Sequence, residues 1–515
     1  MNRKLGTRLA AVGVLAIAAL AGTGAISATA AQAAVLAFDF NGDGRQDLAA
    51  GAPSWRAGAF GQAGAVVVLP GSRHGVRLAA RRFFARLPVG DPSPGGWLVA
   101  ALASADFNGD GYADLAVGSP SESANGRDAT GVVSVLYGSA RGLSSAGAGR
   151  LFGPPLSGDG STGEDFGAAL AAGDLNGDGY ADLAVGALGE DPRPDNIDYG
   201  SGAIHLLFGG PSGLSATDER TIARPNPADA TFGQVLALGD IDRDGHVDLA
   251  EGAPGRGQAF EASGIPGHTS YCAGGPNGPT SCRTIGPPSP PDMDPDPRGP
   301  RRGPLSLVVA DVTGDRHPDI VEGVPEDRWF GEAGPLPAGA VVIYRGTARG
   351  PRAGEIVVTQ NSAGVPGRSE PGDAFGTSVR VADLDGDRHA DLVVGAPGEA
   401  VGKVRRAGRV TVIRGARAGF SRTANLELDR RARSLAGSGR ELGAALSVLD
   451  LDGDRRPELV IGARGVPGAR GSVYRHATLA ILRSSRHGPT PTGGRVFRAR
   501  FLGLSPTPFG PVLGG

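Results

Sequence analysis

Residues 173–187 read GDLNGDGYADLAVGA, and this stretch decides the fold. Asp174, Asn176, Asp178 and Asp182 crowd four oxygen-bearing side chains into nine residues, and an apolar run follows at once. The same nine-residue pattern recurs as DFNGDGRQD from Asp39, DFNGDGYAD from Asp106 and DIDRDGHVD from Asp240. It recurs again as DVTGDRHPD from Asp311, DLDGDRHAD from Asp383 and DLDGDRRPE from Asp450. The starts are spaced by 67, 68, 66, 71, 72 and 67 residues. A fixed period of this length means one structural unit used seven times.

The parts of the unit are clearest around Asp174. DFGAALAAG leads into the acidic loop, ADLAVGAL leaves it, and GAIHLLFGG and RTIARP follow after a variable stretch. All are short, bounded by Gly, and rich in β-branched residues or Leu, which predicts four strands per unit. The third strand recurs as GAVVVLPGS from 64, GVVSVLYGS from 131, GAVVIYRGT from 339 and GRVTVIRGA from 408. No segment holds a helical period over three turns. The expectation is an all-β chain forming a single seven-bladed β-propeller, four antiparallel strands per blade. A β-solenoid needs a much shorter period, and separate sandwiches need about 100 residues each. Seven independent modules fail because a lone four-stranded sheet cannot cover both of its faces.

Phe166, Phe232 and Phe375 each precede a loop Asp by eight residues and are followed by Gly, and Leu442-Gly443 repeats the spacing. Phe509-Gly510 places the next acidic loop at 517, just past the last residue. The two chain ends therefore read as one blade cut in two. Leu98-Val99 and Gly303-Pro304 stand where the other units hold Phe-Gly, which weakens the first strands of units two and five.

Residues 1–33 read as a signal peptide, with a basic start at Arg3, Lys4 and Arg8, an apolar run from Ala10 to Ala21 and a small-residue AQA at 31–33. The expected mature domain is 34–515, secreted, with no membrane span. Net charge is −2, near −5 without the leader, which argues against a nucleic-acid binder. Only two of the 51 basic residues are Lys, which reads as a coding bias without functional weight. Cys272 and Cys282, the only cysteines, are expected to form one disulfide in an exported chain. A Pro-rich insertion spans about 286–304.

In each loop, positions 1, 3 and 5 turn oxygens inward, Gly at position 6 permits positive φ, position 7 offers a carbonyl and position 9 adds a carboxylate. Such an all-oxygen cage suits Ca²⁺. An EF-hand would place Glu at position 12 between helices, whereas here a strand follows position 9 directly. An Asx-rich turn without metal is the plainer alternative.

With Phe-Gly before the loop and Gly-Ala-Pro after it at 51, 252 and 395, the chain resembles the FG-GAP repeats of the integrin α-subunit N-terminal propeller, which also occur in secreted bacterial proteins. The resemblance implies Asp174, Asn176, Asp178 and Asp182 as calcium ligands, with Tyr180 giving its carbonyl. Carried to the first loop it implies Asp39, Asn41, Asp43, Arg45 and Asp47, and to the second Asp106, Asn108, Asp110, Tyr112 and Asp114. The fourth set is Asp240, Asp242, Asp244, His246 and Asp248, and the fifth Asp311, Thr313, Asp315, His317 and Asp319. The sixth is Asp383, Asp385, Asp387, His389 and Asp391, and the seventh Asp450, Asp452, Asp454, Arg456 and Glu458. Arg316, Arg388 and Arg455 replace Gly at position 6, and Thr313 and Glu458 also depart, so the last three sites are expected to be weaker.

The sequence carries no Gly-x-Ser-x-Gly, no His-Glu-x-x-His and no phosphate-binding loop with Lys, so no catalytic residue is assigned. The histidines at loop position 7 read as turn residues. The variable stretches between second and third strands should lie opposite the acidic loops. They hold Trp55 and Trp329, with Phe60, Tyr199 and Phe330, acids at Glu190, Asp191, Asp195 and Asp198, and cations at Lys403, Arg405 and Arg406. They form the expected face for a protein or glycan partner. The leading function is a calcium-binding adhesion module at a cell surface or matrix; the alternatives are a hydrolase-associated propeller and a non-catalytic scaffold.

Overall fold

The computed structural model describes residues 35–513 except 54–63, 85–98, 123–129, 152–163, 190–201, 224–230, 255–266, 286–302, 326–337, 465–477, 499–501, 503–511 and positions 353, 418, 433 and 437. Residues 1–33, Trp55, Phe60, Tyr199, Trp329, Phe330, the four acids of the third connection and nearly all of the Pro-rich insertion lie outside these residues.

Seven four-stranded antiparallel sheets form, each in plain sequence order except the first. In blade three, Phe166–Gly173, Asp182–Ala187, Ala203–Phe208 and Ser215–Ala223 lie side by side. The second strand is buried at every residue in all seven blades, because it lies between two strands and under the neighbouring blades. The core is a series of clusters between successive blades, such as the one joining Val235 and Tyr271 of blade four to Leu307 and Val342 of blade five. The weakened first strands form regardless, as Ala101–Ala105 in blade two and Ser306–Ala310 in blade five.

The Phe-Gly and Gly-Ala signals have one physical meaning between them. Phe166, Phe232 and Phe375 are buried. The Gly after each has φ of 91°, 86° and 94° at Gly167, Gly233 and Gly376. That turn places its carbonyl against the Gly of the preceding blade's second strand. A Cβ on Gly118, Gly186 or Gly323 would lie 2.1, 2.0 and 2.0 Å from the carbonyl oxygens of Gly167, Gly233 and Gly376. Backbone meets backbone there, so both glycines are obligatory. Where blade five lacks the motif, Pro304 fills the same contact against Gly252.

Blade one is the exception in order: Val512–Leu513 is its first strand, paired antiparallel to Leu48–Ala52 through Gly51↔Val512 and Ala50↔Leu513. The register matches blade three, where Ala169 pairs Gly186 and Leu170 pairs Val185. Ala169 and Leu170 follow Phe166 by three and four residues, as Val512 and Leu513 follow Phe509. The split blade is therefore closed in the register that the Phe-Gly spacing implies.

Because strands alternate in direction, the acidic loops and the third-to-fourth turns share one face of the disc, and the second-to-third connections emerge on the other. Cys272, ending the third strand of blade four, is disulfide-bonded to Cys282 beside the outer strand Arg283–Ile285.

Candidate metal centres

Each acidic loop is a turn held by its own side chains. In blade three the position 1 carboxylate accepts backbone N–H groups from positions 4 to 6: Asp174 Oδ1 takes Gly177 N at 2.7 Å and Asp178 N at 3.1 Å, and Oδ2 takes Gly179 N at 3.0 Å. Asn176 Oδ1 accepts Asp178 N at 2.9 Å, and Asp178 Oδ1 accepts Tyr180 N at 2.9 Å. The chain curls around the acids because φ is positive at both position 4 and position 6. Position 6 was legible in the sequence; position 4 was missed, although Gly42, Gly109, Gly177, Gly314, Gly386 and Gly453 recur there. Arg243 takes φ of 61° at position 4, and Arg316, Arg388 and Arg455 take 78°, 70° and 68° at position 6. Loop four therefore carries its own departure from the glycine pattern.

The position 9 carboxylate is buried and has a second task. Asp182 accepts Leu175 N at 2.8 Å within the loop and Gly209 N at 2.8 Å beyond the third strand. Asp114, Asp248, Asp319 and Asp391 repeat the pair of bonds, Asp47 takes Gly71 N at 2.8 Å, and Glu458 takes Leu451 N at 2.9 Å. Burial pushes Asp47, Asp114, Asp182 and Asp391 up to about 7, Asp248 and Asp319 to about 6, and Glu458 to about 8. Neighbouring loop carboxylates add to the rise, while the backbone donors oppose it. The fold thus disfavours the negative charge that its own loops concentrate.

Where position 3 is also an acid, three carboxylates converge. Asp240, Asp242 and Asp248 offer oxygens within 4.8 Å of one another, as do Asp383, Asp385 and Asp391, and Asp450, Asp452 and Glu458. Loops one to three bring Asn41, Asn108 and Asn176 to this position, and loop five brings Thr313, whose hydroxyl donates to Asp319 at 3.4 Å. In loop four, Asp240 Oδ1 is buried without a hydrogen-bond partner. An orphaned carboxylate oxygen among two further carboxylates fits a hard divalent cation held by oxygens alone.

The loops are also wired together. The position 1 carbonyl of one loop accepts the position 8 N–H of the next, as in Asp39 O from Ala113 N and Asp106 O from Ala181 N, both at 3.2 Å. The link crosses the chain ends too, with Gln46 N donating to Asp450 O at 3.0 Å. Position 7 side chains lean over the previous loop: Tyr112 lies on Gly42, Tyr180 on Gly109, Arg456 on Gly386 and Arg45 on Gly453. Position 7 is thus a contact between blades as well as a turn residue.

The FG-GAP repeat family matches residues 30–69, 98–136, 166–207, 375–413 and 442–474. The chain carries FG-GAP repeats. The matched stretches lie in units one, two, three, six and seven; units four and five hold Arg243, Gly303-Pro304 and Thr313, yet fold into the same blade. Bovine phosphatidylinositol-glycan-specific phospholipase D is 36% identical over 167 residues, 31% of this chain and 18% of that protein. Integrin alpha-3 of Cricetulus griseus is 38% identical over 93 residues, 18% of this chain and 8% of its own length. The chain therefore spans less than a fifth of these relatives. Among solved structures, Bacillus licheniformis rhamnogalacturonan lyase PL11 covers 82% of this chain and 66% of its own at 14% identity and a TM-score of 0.34, too loose a likeness to support any argument. Among the described residues, no helix is long and apolar enough to cross a membrane.

Proposed function

We propose that this FG-GAP propeller is an exported, calcium-stabilised binding module, acting in adhesion at a cell surface or matrix. The observation that carries the metal reading is the orphaned Asp240 Oδ1 beside Asp242 and Asp248. In each loop, positions 1, 3, 5 and 9 would hold Ca²⁺ through side chains and position 7 through its carbonyl. The ion would supply the positive charge that the buried acids lack. Export is supported by the leader-like residues 1–33. The binding role is supported by the likeness to integrin alpha-3 and by variable loops mounted on a rigid disc. Trp55 and Trp329 are the proposed anchors on the face opposite the acidic loops. The likeness to phospholipase D supports a second reading, a propeller that accompanies a hydrolase.

Extracellular sites typically bind with Kd near 10⁻⁴–10⁻³ M. At ten times Kd, each occupied site would add roughly 1.4 kcal/mol. Excess chelator should therefore lower the melting temperature by several degrees, and an unchanged melting curve would overturn the calcium reading. A protein and glycan array, probed with and without calcium, identifies the partner. On that partner, Trp55→Ala and Trp329→Ala should each weaken binding by about 1–2 kcal/mol without moving the melting temperature. Full binding by the double variant would place the site elsewhere.

A further inference from the structure

The face that carries the acidic loops is not uniform around the disc. Arg316, Arg388 and Arg455 occupy position 6 of three successive loops, all exposed and all with positive φ. Glycine takes this conformation freely at the same position in Gly111 and Gly179 of blades two and three. Side chains held in sparsely populated backbone regions persist where the surrounding structure enforces them, and they cluster at functional sites. None of the three makes an ion pair among the described residues, whereas nearby Arg414 and Arg483 face Asp385 at 3.4 Å and Asp452 at 3.7 Å.

Contacts between blades join these cations into an arc. Arg243 Nη1 of loop four donates to Arg316 O of loop five at 3.1 Å. The turn bearing Arg417 in blade six presses its carbonyl on Gly314 of loop five, and Arg414 donates to the His487 carbonyl beside Arg486 in blade seven. Arg417 and Arg486 are exposed as well. At position 6 blades two and three hold Gly111 and Gly179, whereas the turn that carries Arg417 and Arg486 also carries exposed Arg73 in blade one and Arg141 in blade two, so position 6 is what sets the arc apart.

We propose that the arginine arc of blades four to seven binds a linear acidic glycan. A surface that repeats from blade to blade discriminates poorly among folded partners, but it matches a polymer that repeats its own charge. Asp315, Asp387 and Asp454 precede the arginines and would be engaged by Ca²⁺ in the calcium reading, on which this proposal rests. Duplex DNA, with a charge about every 1.7 Å of its axis, would leave most of its phosphates without a partner on cations that recur only from blade to blade. A glycan with more widely spaced acid groups can place them on the arginines alone. This surface is separate from the second-to-third-strand face, so it stands or falls independently of the partner proposed there.

The test is retention on immobilised hyaluronan, charged by carboxylate, and chondroitin sulfate, which adds sulfate, with duplex DNA as comparator, all in calcium-containing buffer. Full-length protein should bind at least one glycan, with binding falling as salt rises. The triple variant Arg316→Gly, Arg388→Gly, Arg455→Gly removes three exposed charges and should lose about tenfold in affinity. Its melting temperature should hold or rise, since glycine accepts the turn. If the triple variant melts lower, Arg417→Ala with Arg486→Ala, which leaves the loops intact, should still show the loss. Binding to neither glycan, unchanged affinity in the variants, or equal affinity for DNA would each overturn the proposal.

Discussion

At position 9 of each loop, one carboxylate serves two purposes that the residue letter does not separate. Asp182 ties Leu175 N and Gly209 N together, so it holds loop to third strand whether or not a cation is present. Exposed Asp178 has no such tie beyond the loop. Removing Asp182 strands one buried donor, Leu175 N, at about 1–3 kcal/mol, and one half-buried donor, Gly209 N, at less. Asp182→Ala should therefore destabilise the protein by about 2–4 kcal/mol even in chelator. Asp178→Ala should change little in chelator and reduce only the calcium-induced gain. Denaturant titrations of both variants, with and without calcium, check this; equal losses in chelator would show that position 5 is structural too. The alternation of acids and the left-handed turn at position 6 were legible in the sequence. The position 9 staple was not, because its partner Gly209 lies 27 residues on and is set by blade geometry rather than by local pattern.

At the scale of elements, the connection from blade five to blade six is pinned by buried polar groups. Gln360 Nε2 donates to Glu399 at 2.8 Å, Arg409 Nη1 pairs with the other Glu399 oxygen at 2.8 Å, and Glu370 N donates to Asp373 at 2.7 Å. Burial, then the adjacent Glu399 carboxylate, pushes Asp373 up to about 7, and Glu370 adds to the rise. An acid whose folded pKa is raised binds its proton more tightly in the folded state. Its stabilising effect is full below the unfolded value near 4 and is lost as pH climbs to about 7. Asp373→Asn mimics the protonated form, so it should be nearly neutral at about pH 3.5, below both pKa values, and increasingly stabilising as pH rises, by about 1–2 kcal/mol or more at pH 8. A variant with the same pH slope as the parent would remove Asp373 from that role. The sequence marks none of this cluster, since Asp373 and Glu399 lie 26 residues apart in connections without a motif.

At the scale of the whole molecule, the repeat was legible because period and strand pattern are one-dimensional, and what packs between blades was not. Arg380 stands where blades two, three and four hold Ala103, Ala171 and Ala237, and alternation alone would turn its charge to solvent. It is fully buried, with Nη1 on Val379 O at 2.6 Å, because a first strand has a neighbouring blade on each face and no solvent side. Glu251 and Glu322 are buried in second strands for the same reason, the latter accepting hydroxyls from Tyr344 of its own blade at 3.3 Å and from Thr269 of blade four. Closure is the property that only the whole ring possesses. Val512–Leu513 shields Leu48–Ala52, and buried Leu513 joins a cluster that spans Val99 of blade two and Ala445 of blade seven. Deleting Ser505–Gly515 would strip blade one of its inner strand, expose an unpaired strand edge and open the contact between the last blade and the first. The Gln46–Asp450 bonds would then be the main bridge left between the acidic loops at the two ends of the repeat array. The truncated protein should give low soluble yield, and any soluble fraction should melt about 5–10 °C lower. Gln46→Ala in the full-length chain should have a far smaller effect, because it removes two side-chain bonds, from Asp450 N and to Ala37 O, and not a strand. Melting of the truncated chain at the full-length temperature would mean that the ring does not depend on the split blade for its closure.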